Sequence, residues 1–427
     1  MYWEKEWETI ETGRLRDYQL EMLNQAVERA MKAPFYQNQG LKPVRSLEEV
    51  SKLPFTRKQD LRDSFPYGFL TVGLDSAVRL HSSSGTTGNP TVVFHTRADI
   101  ESWANLVARC MYMTGVRKGD VFQNTMGYGL FTGGLGFHYG AERLGALTIP
   151  TGPGNSKRQI WFMQKFGTTV VHILPSYALR LYSNFAELEI DPKRDLKLKI
   201  FFIGSEPHSD ELRKQIESIY GLKAYNSYGL SEVCGPGVAF ECPYQTGMHI
   251  WEDYFYVEVV DPKTGEVLPD GEEGELVLTT LRREAMPVIR YRTGDLTRIL
   301  PGKCQCGRNH RRIDRIKGRA DDMLIINGVN IFPIQIEQTI MKIPGVGKNY
   351  QIEIHQENYM DKLYVKVEVD REVFEGTLAG LTALQHRITA ELQTDLVVSP
   401  VVQLVEPDSL PVAEGKAKRV FDLREKI

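Results

Sequence analysis

The sequence lacks several features that would settle its class at a glance. Cysteine is scarce: Cys110, Cys234, Cys242, Cys304 and Cys306 are an odd, sparse set for 427 residues, which argues against a disulfide framework. An excess of one charge is also missing. The 52 Lys and Arg face 55 Asp and Glu, a formal net charge of -3, so nothing points to a nucleic-acid or anionic-membrane partner. No apolar run reaches the roughly eighteen residues that a membrane span needs. The opening Met1-Tyr2-Trp3-Glu4-Lys5-Glu6-Trp7-Glu8 is too charged for the apolar part of a signal peptide. A cytoplasmic location is the default expectation. Internal repeats and low-complexity segments are absent, and no Ser-His-Asp arrangement is visible, so covalent catalysis is the poorer expectation.

What is present is an ordinary globular composition, 42% hydrophobic and 25% charged, with enough chain for a large core and more than one domain. Apolar residues at three- and four-residue spacing (Leu15, Tyr18, Met22, Leu23, Ala26, Val27, Ala30) predict an early helix, and a second short helix is expected to be capped at Thr56. From Val78 to about Gly237, strands near 92–95, 120–124, 146–150, 170–174 and 199–204 alternate with helices near 100–113, 139–144, 156–166, 176–187 and 210–220. That rhythm predicts layered α/β structure with mostly parallel strands. After about His249 the pattern changes to strands over 254–260, 274–280 and 288–292 separated by turn signals, a small antiparallel β subdomain over about 250–313. A polar, glycine-bearing stretch around Lys317–Asp322 then leads into an α+β lobe, with helices over 333–341 and 375–392 and strands over 350–355, 362–369 and 401–405.

Five short stretches carry chemistry. Ser82-Ser83-Ser84-Gly85-Thr86-Thr87-Gly88-Asn89-Pro90-Thr91 follows the strand-like Ala77–Leu80 and is small and hydroxyl-rich enough for backbone N–H groups to wrap phosphate oxygens. It lacks the glycine-lysine spacing of a P-loop, and by itself it is also compatible with a polar turn. Tyr225-Asn226-Ser227-Tyr228-Gly229-Leu230-Ser231-Glu232 offers an aromatic ring to a base and a carboxylate to a Mg²⁺. Arg290-Tyr291-Arg292-Thr293-Gly294-Asp295 ends an expected strand with an acid that can accept both hydroxyls of a ribose. Gly318-Arg319-Ala320-Asp321-Asp322 opens the linker, and Glu414-Gly415-Lys416-Ala417-Lys418-Arg419 is a glycine-bearing run of cations.

In order and spacing these five stretches resemble the signature set of the adenylate-forming enzymes, the superfamily of acyl-CoA synthetases, nonribosomal-peptide adenylation domains and luciferases. Gly127-Tyr128-Gly129-Leu130-Phe131-Thr132-Gly133-Gly134-Leu135-Gly136, Gly204-Ser205-Glu206-Pro207 and Asp321–Pro333 make the chain similar to the branch that joins phenylacetate to coenzyme A. The likeness spans nearly the whole chain. It implies a large α/β N-terminal domain (1–318) and a smaller mobile α+β C-terminal domain (319–427) that turns about a hinge at Asp321. It implies ATP, Mg²⁺ and CoA, and AMP-forming activation of an aryl acid, with phenylacetate the leading candidate, followed by thioester formation.

The resemblance also assigns roles. Ser82, Ser83, Ser84, Gly85, Thr86, Thr87 and Gly88 match the phosphate lid, in which Thr86 assists catalysis by holding the leaving group. Glu206, Pro207 and Asn226 to Tyr228 match the adenine pocket, Ser205, Gly229, Leu230 and Ser231 fall among the nucleotide-binding residues, and Glu232 matches the Mg²⁺ ligand. Asp295 and Arg319 match the ribose contacts, and Lys416 matches the lysine of the adenylation transition state. Tyr128, Phe131, Gly133 and Gly134 belong to an expected aromatic, glycine-rich loop, running to Gly136, where the family seats its aryl acid. A homodimer is implied by likeness alone. Transfer to a carrier-protein thiol or another acceptor, and a non-catalytic nucleotide-binding role, stay open.

The cysteines tell a separate story. Cys304-Gln305-Cys306-Gly307 and Cys242-x6-His249 flank the same β subdomain, and three thiolates with one imidazole form a closed, structural Zn²⁺ set. Cys234 and His310 are spare ligands, and Cys110 is expected as a buried core thiol. Only part of the superfamily carries these cysteines, so zinc is not inherited with the main resemblance.

Overall fold

The structure is a computed structural model that describes residues 1–82, 89–206, 208–319, 324–327, 329–357, 360–396, 398–411 and 418–424. The chain divides into two compact units. One comprises residues 1–173, 196–205 and 223–316, and the other residues 174–195, 206–222 and 317–427.

The first unit is built on a nine-stranded mixed sheet. Its order runs from the strand Ile299–Leu300 through Arg312–Ile313, Met248–Ile250, Gly235–Glu241, Lys223–Leu230, Ile200–Gly204, Val170–Ile173 and Val121–Asn124 to Leu147–Ile149. The five strands at the Leu147 end are parallel, and those beyond Lys223–Leu230 are antiparallel. Strands buried on both faces read as continuous apolar runs, which is why Val170–Ile173 and Ile200–Gly204 are legible without alternation. Phe122, Phe137, Phe202 and Phe240 form the aromatic centre of the core, with Phe137 and Phe202 stacked at 5.3 Å. Phe255–Val260, Gly274–Thr280 and Tyr291–Thr297 pair antiparallel, as the turn-punctuated rhythm predicts.

Several local expectations need correction. Thr56 does not cap the helix Lys58–Asp63. It is buried, its hydroxyl bonding to the Ile289 carbonyl and to Tyr36 at 2.7 Å each, while the Asp60 carboxylate accepts the Arg57 N–H. The strand expected over 288–292 instead runs Tyr291–Thr297. Arg290 takes φ +45 and sends its guanidinium to Glu258 and to the carbonyls of Ser51 and Leu53, which turns the chain just before the strand begins. Asp295 therefore sits inside a strand and not at its end.

The glycine-rich run Thr132–Gly136 is likewise not a loop. It forms the first turns of a helix, Thr132–Leu144, longer than the expected 139–144. A Cβ on Gly136 would overlap Trp103 and Pro236, and one on Gly140 would overlap Val107. Close packing against the helix Arg97–Met113 thus outweighs the weak helix propensity of glycine.

The second unit contains the helices Pro175–Glu187 and Asp210–Tyr220, joined by a hydrogen bond from the Tyr220 hydroxyl to the Ala178 carbonyl at 2.6 Å. It also holds a four-stranded sheet in the order Val401–Val405, Met360–Val369, Val346–Glu357, Val420–Asp422. The central pair is antiparallel and both outer strands are parallel to their neighbours. Helices Pro333–Ile340 and Leu378–Leu396 complete a core that includes Ile336, Ile352, Val365, Ile388 and Leu392. The short strand Val420–Asp422 escapes sequence reading because only three residues of it pair. Among the described residues no helix is long and apolar enough to cross a membrane.

Candidate active site

In the first unit the strands Arg79–Ser82 and Val92–His95 form an antiparallel hairpin, with Ser82 opposite Val92. The hydroxyl-rich stretch is therefore the connection between two paired strands. Ser83, Ser84, Gly85, Thr86, Thr87 and Gly88 lie outside the described residues, as do Pro207, Asp321 and Lys416. At the hairpin mouth the Ser82 N–H and the His81 Nδ1–H both donate to the Leu130 carbonyl at 3.0 Å. Burial lowers the pKa of His81, so its ring is neutral near pH 7. The hairpin is thus tied directly to the loop of the expected acyl pocket. Neither His81 nor Leu130 was singled out for this junction by sequence, because the contact joins residues 49 positions apart.

Tyr228 and Asp295, assigned by resemblance to base and ribose, are brought together. The Tyr228 hydroxyl donates to Asp295 Oδ2 at 2.5 Å, and both residues are buried. The Asp295 N–H in turn donates to Thr293 Oγ1 at 3.0 Å. Asn226 is held through its backbone N–H, which donates to Glu241 at 2.8 Å. Gly229 has to be glycine, since a Cβ there would overlap the Gly235 carbonyl where the ladder shifts register. Ser231 and Thr132 share a hydroxyl contact at 3.0 Å, which joins the Tyr228–Glu232 motif to the glycine-rich helix.

Glu232 is buried, with Lys58 Nζ at 3.5 Å from its carboxylate. Lys58 was not anticipated. It lies 174 positions from Glu232, and nothing in its own neighbourhood marks it. Ser205 takes φ +64 at the end of the strand Ile200–Gly204, so the chain turns sharply where ligands of parallel sheets usually bind.

In the acyl loop, Tyr128 accepts from Asn124 Nδ2 at 2.9 Å and lies 3.3 Å from His138 Nδ1; burial pushes its phenol up to about 12. It is a positioned, un-ionised hydroxyl. Phe131 is 53% exposed and precedes the helix Thr132–Leu144. A Cβ on Gly133 would meet nothing closer than Met126 Cε at 3.9 Å, whereas at Gly134 the missing side chain makes room for the Gly127 carbonyl.

In the second unit, Glu206 accepts from Ser176 N at 2.6 Å and from Ser176 Oγ at 3.1 Å. Arg319 is half-buried on the short strand Gly318–Arg319.

Cys242, His249, Cys304 and Cys306 converge in the first unit, their ligand atoms all within 4.8 Å of one another. Cys242 Sγ lies 3.6 Å from Cys304 Sγ, and Cys306 Sγ 3.2 Å from His249 Nε2. His249 Nδ1–H donates to the His310 carbonyl at 3.1 Å, leaving Nε2 as the donor atom aimed at the thiols. The hydrogen bond between Cys242 and Cys306 raises the first thiol and lowers the second, and His249 lowers Cys306 further. Cys234 and His310 are not in the set. Cys234 is buried with its thiol pushed up to about 12, and His310 bonds to the Glu252 N–H and the Trp7 carbonyl. Cys110 is the buried core thiol expected, and it accepts from the Trp251 indole at 3.1 Å.

Comparison with known proteins agrees with this architecture. The AMP-binding enzyme family matches residues 44–281, and the AMP-binding enzyme C-terminal domain matches residues 328–424. The chain belongs to this family and is an AMP-forming acid–CoA ligase. It is 46% identical to the phenylacetate-coenzyme A ligase of Pseudomonas putida, over 98% of this chain and 96% of that protein. It is 44% identical to the phenylacetate-coenzyme A ligase of Escherichia coli strain K12, over 98% and 97%. The crystal structure of 2-hydroxyisobutyryl-CoA ligase in the postadenylation state with 2-HIB-AMP superposes with a TM-score of 0.93 at 32% identity, over 99% of this chain and 92% of that one.

Proposed function

We propose that the acid is an aryl acid, phenylacetate first. The observation that carries this reading is kinship at 46% and 44% identity over nearly the full chain with enzymes named for that substrate. The partly buried Tyr128 and the absence of crowding at Gly133 suit a flat ring. A carboxylate oxygen of the acid attacks the α-phosphorus of ATP, the α–β anhydride breaks and pyrophosphate leaves. The CoA thiol then attacks the acyl carbonyl, loses its proton and expels AMP. Negative charge grows on the phosphates in the first step, so fixed cations supply most of the catalysis.

In this reading Lys416 is the catalytic cation, and Glu232 holds the Mg²⁺ that neutralises phosphate charge. The hydroxyls and glycines of Ser82 to Gly88, with Thr86 on the leaving group, line the phosphates. Glu206, Pro207 and Asn226 to Tyr228 serve the adenine, with Ser205, Gly229, Leu230 and Ser231 among the nucleotide-binding residues. Asp295, oriented by Tyr228, takes the ribose together with Arg319. The lobe 319–427 is the moving domain and Asp321 its hinge. The enzyme works in the cytoplasm as a homodimer.

A Zn²⁺ fits the Cys242, His249, Cys304 and Cys306 set. Tetrahedral zinc with Zn–S near 2.3 Å puts sulfurs about 3.8 Å apart, close to the observed 3.6 Å. The fully occupied donor set leaves no open position, so its role is structural. It would fix the segment 301–308, to which Glu8 is bound through Arg308 at 2.7 Å and Tyr2 through the Cys306 carbonyl at 3.1 Å.

The test is ATP–pyrophosphate exchange across a panel of phenylacetate, hydroxyphenylacetates, indole-3-acetate, benzoate and 2-hydroxyisobutyrate, with CoA-dependent AMP release measured alongside. Phenylacetate is expected to give the highest kcat/KM, and Lys416→Ala to lower exchange by ~10² or more. Preference for the hydroxy-aliphatic acid, or undiminished exchange in Lys416→Ala, would overturn the substrate or the lysine assignment respectively.

A further inference from the structure

The second unit contains a buried polar centre whose carboxylate lies outside all five signature stretches. Glu337, on the helix Pro333–Ile340, is 1% exposed and its carboxylate is fully engaged. Oε1 accepts from the Ser209 backbone N–H at 2.7 Å. Oε2 accepts from the Tyr350 hydroxyl at 2.8 Å and from Arg419 Nη1 at 2.5 Å. The Arg419 guanidinium lies 4.4 Å from the centre of the Tyr350 ring. Its backbone is equally fixed, because the Ile352 N–H donates to the Arg419 carbonyl at 2.7 Å, where the strand Val420–Asp422 begins. Ser209 caps the helix Asp210–Tyr220, accepting from Leu212 N at 3.1 Å.

Two short tethers end on this one carboxylate. Arg419 lies three residues after Lys416, so at most about 10 Å of extended chain separates their Cα atoms. Ser209 lies three residues after Glu206, whose carboxylate is itself held by Ser176. Lys418 points its ammonium over Phe421 at 4.8 Å, and Arg419 is spent on Glu337, so both cations that follow Lys416 already have partners within the second unit. A charged side chain is not buried with three donors around it for surface solubility, and loss of one partner leaves the other charge unbalanced.

We propose that Glu337 is a positioning residue for adenylation, whose carboxylate ties the segment carrying Glu206 to the segment carrying Lys416 and so sets where the lysine reaches. The inference rests on the reading that Lys416 serves the adenylation step. Glu337 touches no substrate; it acts through Arg419 on one side and Ser209 on the other. Its removal should therefore weaken the half-reaction that needs the lysine and spare the half-reaction that does not.

The experiment measures the two half-reactions separately in the full-length enzyme. Aryl-acid-dependent ATP–pyrophosphate exchange reports adenylation, and CoA-thioester formation from supplied aryl-acyl-adenylate reports the second step. Glu337→Gln is expected to lower exchange at least tenfold while leaving thioester formation within twofold of wild type. Glu337→Gln combined with Lys416→Ala is expected to exchange no more slowly than Lys416→Ala alone, because the two residues act through one group. A parallel fall of both half-reactions, or a further tenfold loss in the double variant, would overturn the proposal. Should Glu337→Gln fail to fold, Arg419→Lys, which keeps the charge and loses the planar fork, is put through the same assays against the same criteria. Undiminished exchange in Lys416→Ala alone would instead remove the underlying reading, so the two failures are told apart.

Discussion

Two buried polar centres, one in each unit, are built on opposite principles. The Cys242, His249, Cys304 and Cys306 cluster gathers four donors of lone pairs with no cation among them. The Glu337 centre gathers one carboxylate with a guanidinium, a phenol and a backbone N–H, so the carboxylate's charge and both its oxygens are already matched by protein groups. Unpaired donor sets are costly to bury, and an external cation resolves that cost. On the proposed zinc reading the first centre is a staple completed from outside. The second is a junction completed from within, and its value lies in what it connects.

The largest expected effect tests the staple. Purified enzyme should carry about one zinc per chain, and Cys304→Ser should lose it with more than about 4 kcal/mol of stability, the scale on which loss of a metal stands out from ordinary substitutions. Elemental analysis and denaturant midpoints measure both. Zinc well below one per chain in the wild type, with Cys304→Ser equally stable, would remove the contrast between the centres. Glu337→Gln should keep its zinc and show its defect in one half-reaction.

An intermediate effect is expected at Tyr228→Phe, where Asp295 loses the hydrogen bond that orients it. Bonds to charged groups contribute about 1.5–3 kcal/mol to stability, so the melting temperature should fall by a few degrees, and KM for ATP should rise roughly tenfold as Asp295 loses its orientation. An unchanged KM would detach the Tyr228–Asp295 pair from nucleotide binding. The smallest effect concerns Lys58, which is partly exposed beside Glu232. If Glu232 holds Mg²⁺, Lys58→Ala removes a competing cation, and the Mg²⁺ concentration for half-maximal exchange should fall by about two- to threefold. A rise would assign Lys58 to the phosphates.

Much of this was legible in the chain. Helices Ser156–Phe166 and Asp210–Tyr220 and strands Gly274–Thr280 and Val401–Val405 coincide with their expected bounds, because apolar periodicity and turn residues agree there. The errors fall where packing overrules local preference. Gly133 to Gly136 read as loop and fold as helix, because the surface of the helix Arg97–Met113 admits only glycine at Gly136 and Gly140. Arg290 reads as strand and instead turns the chain, because its guanidinium is drawn into a buried pair with Glu258.

By itself the sequence determined the family, the layered α/β class, the metal-ligating residue types and the motifs for nucleotide chemistry. Each of those is a local string whose residue types carry their own chemistry. Only the tertiary structure decided which distant groups meet: Tyr228 with Asp295, Lys58 with Glu232, Cys242 with Cys304, and Glu337 with both Ser209 and Arg419. Such pairs are separated by tens to hundreds of residues, and no spacing rule encodes them. They are set by sheet order and helix packing, and a buried charge shows its partner only once the fold has closed around it.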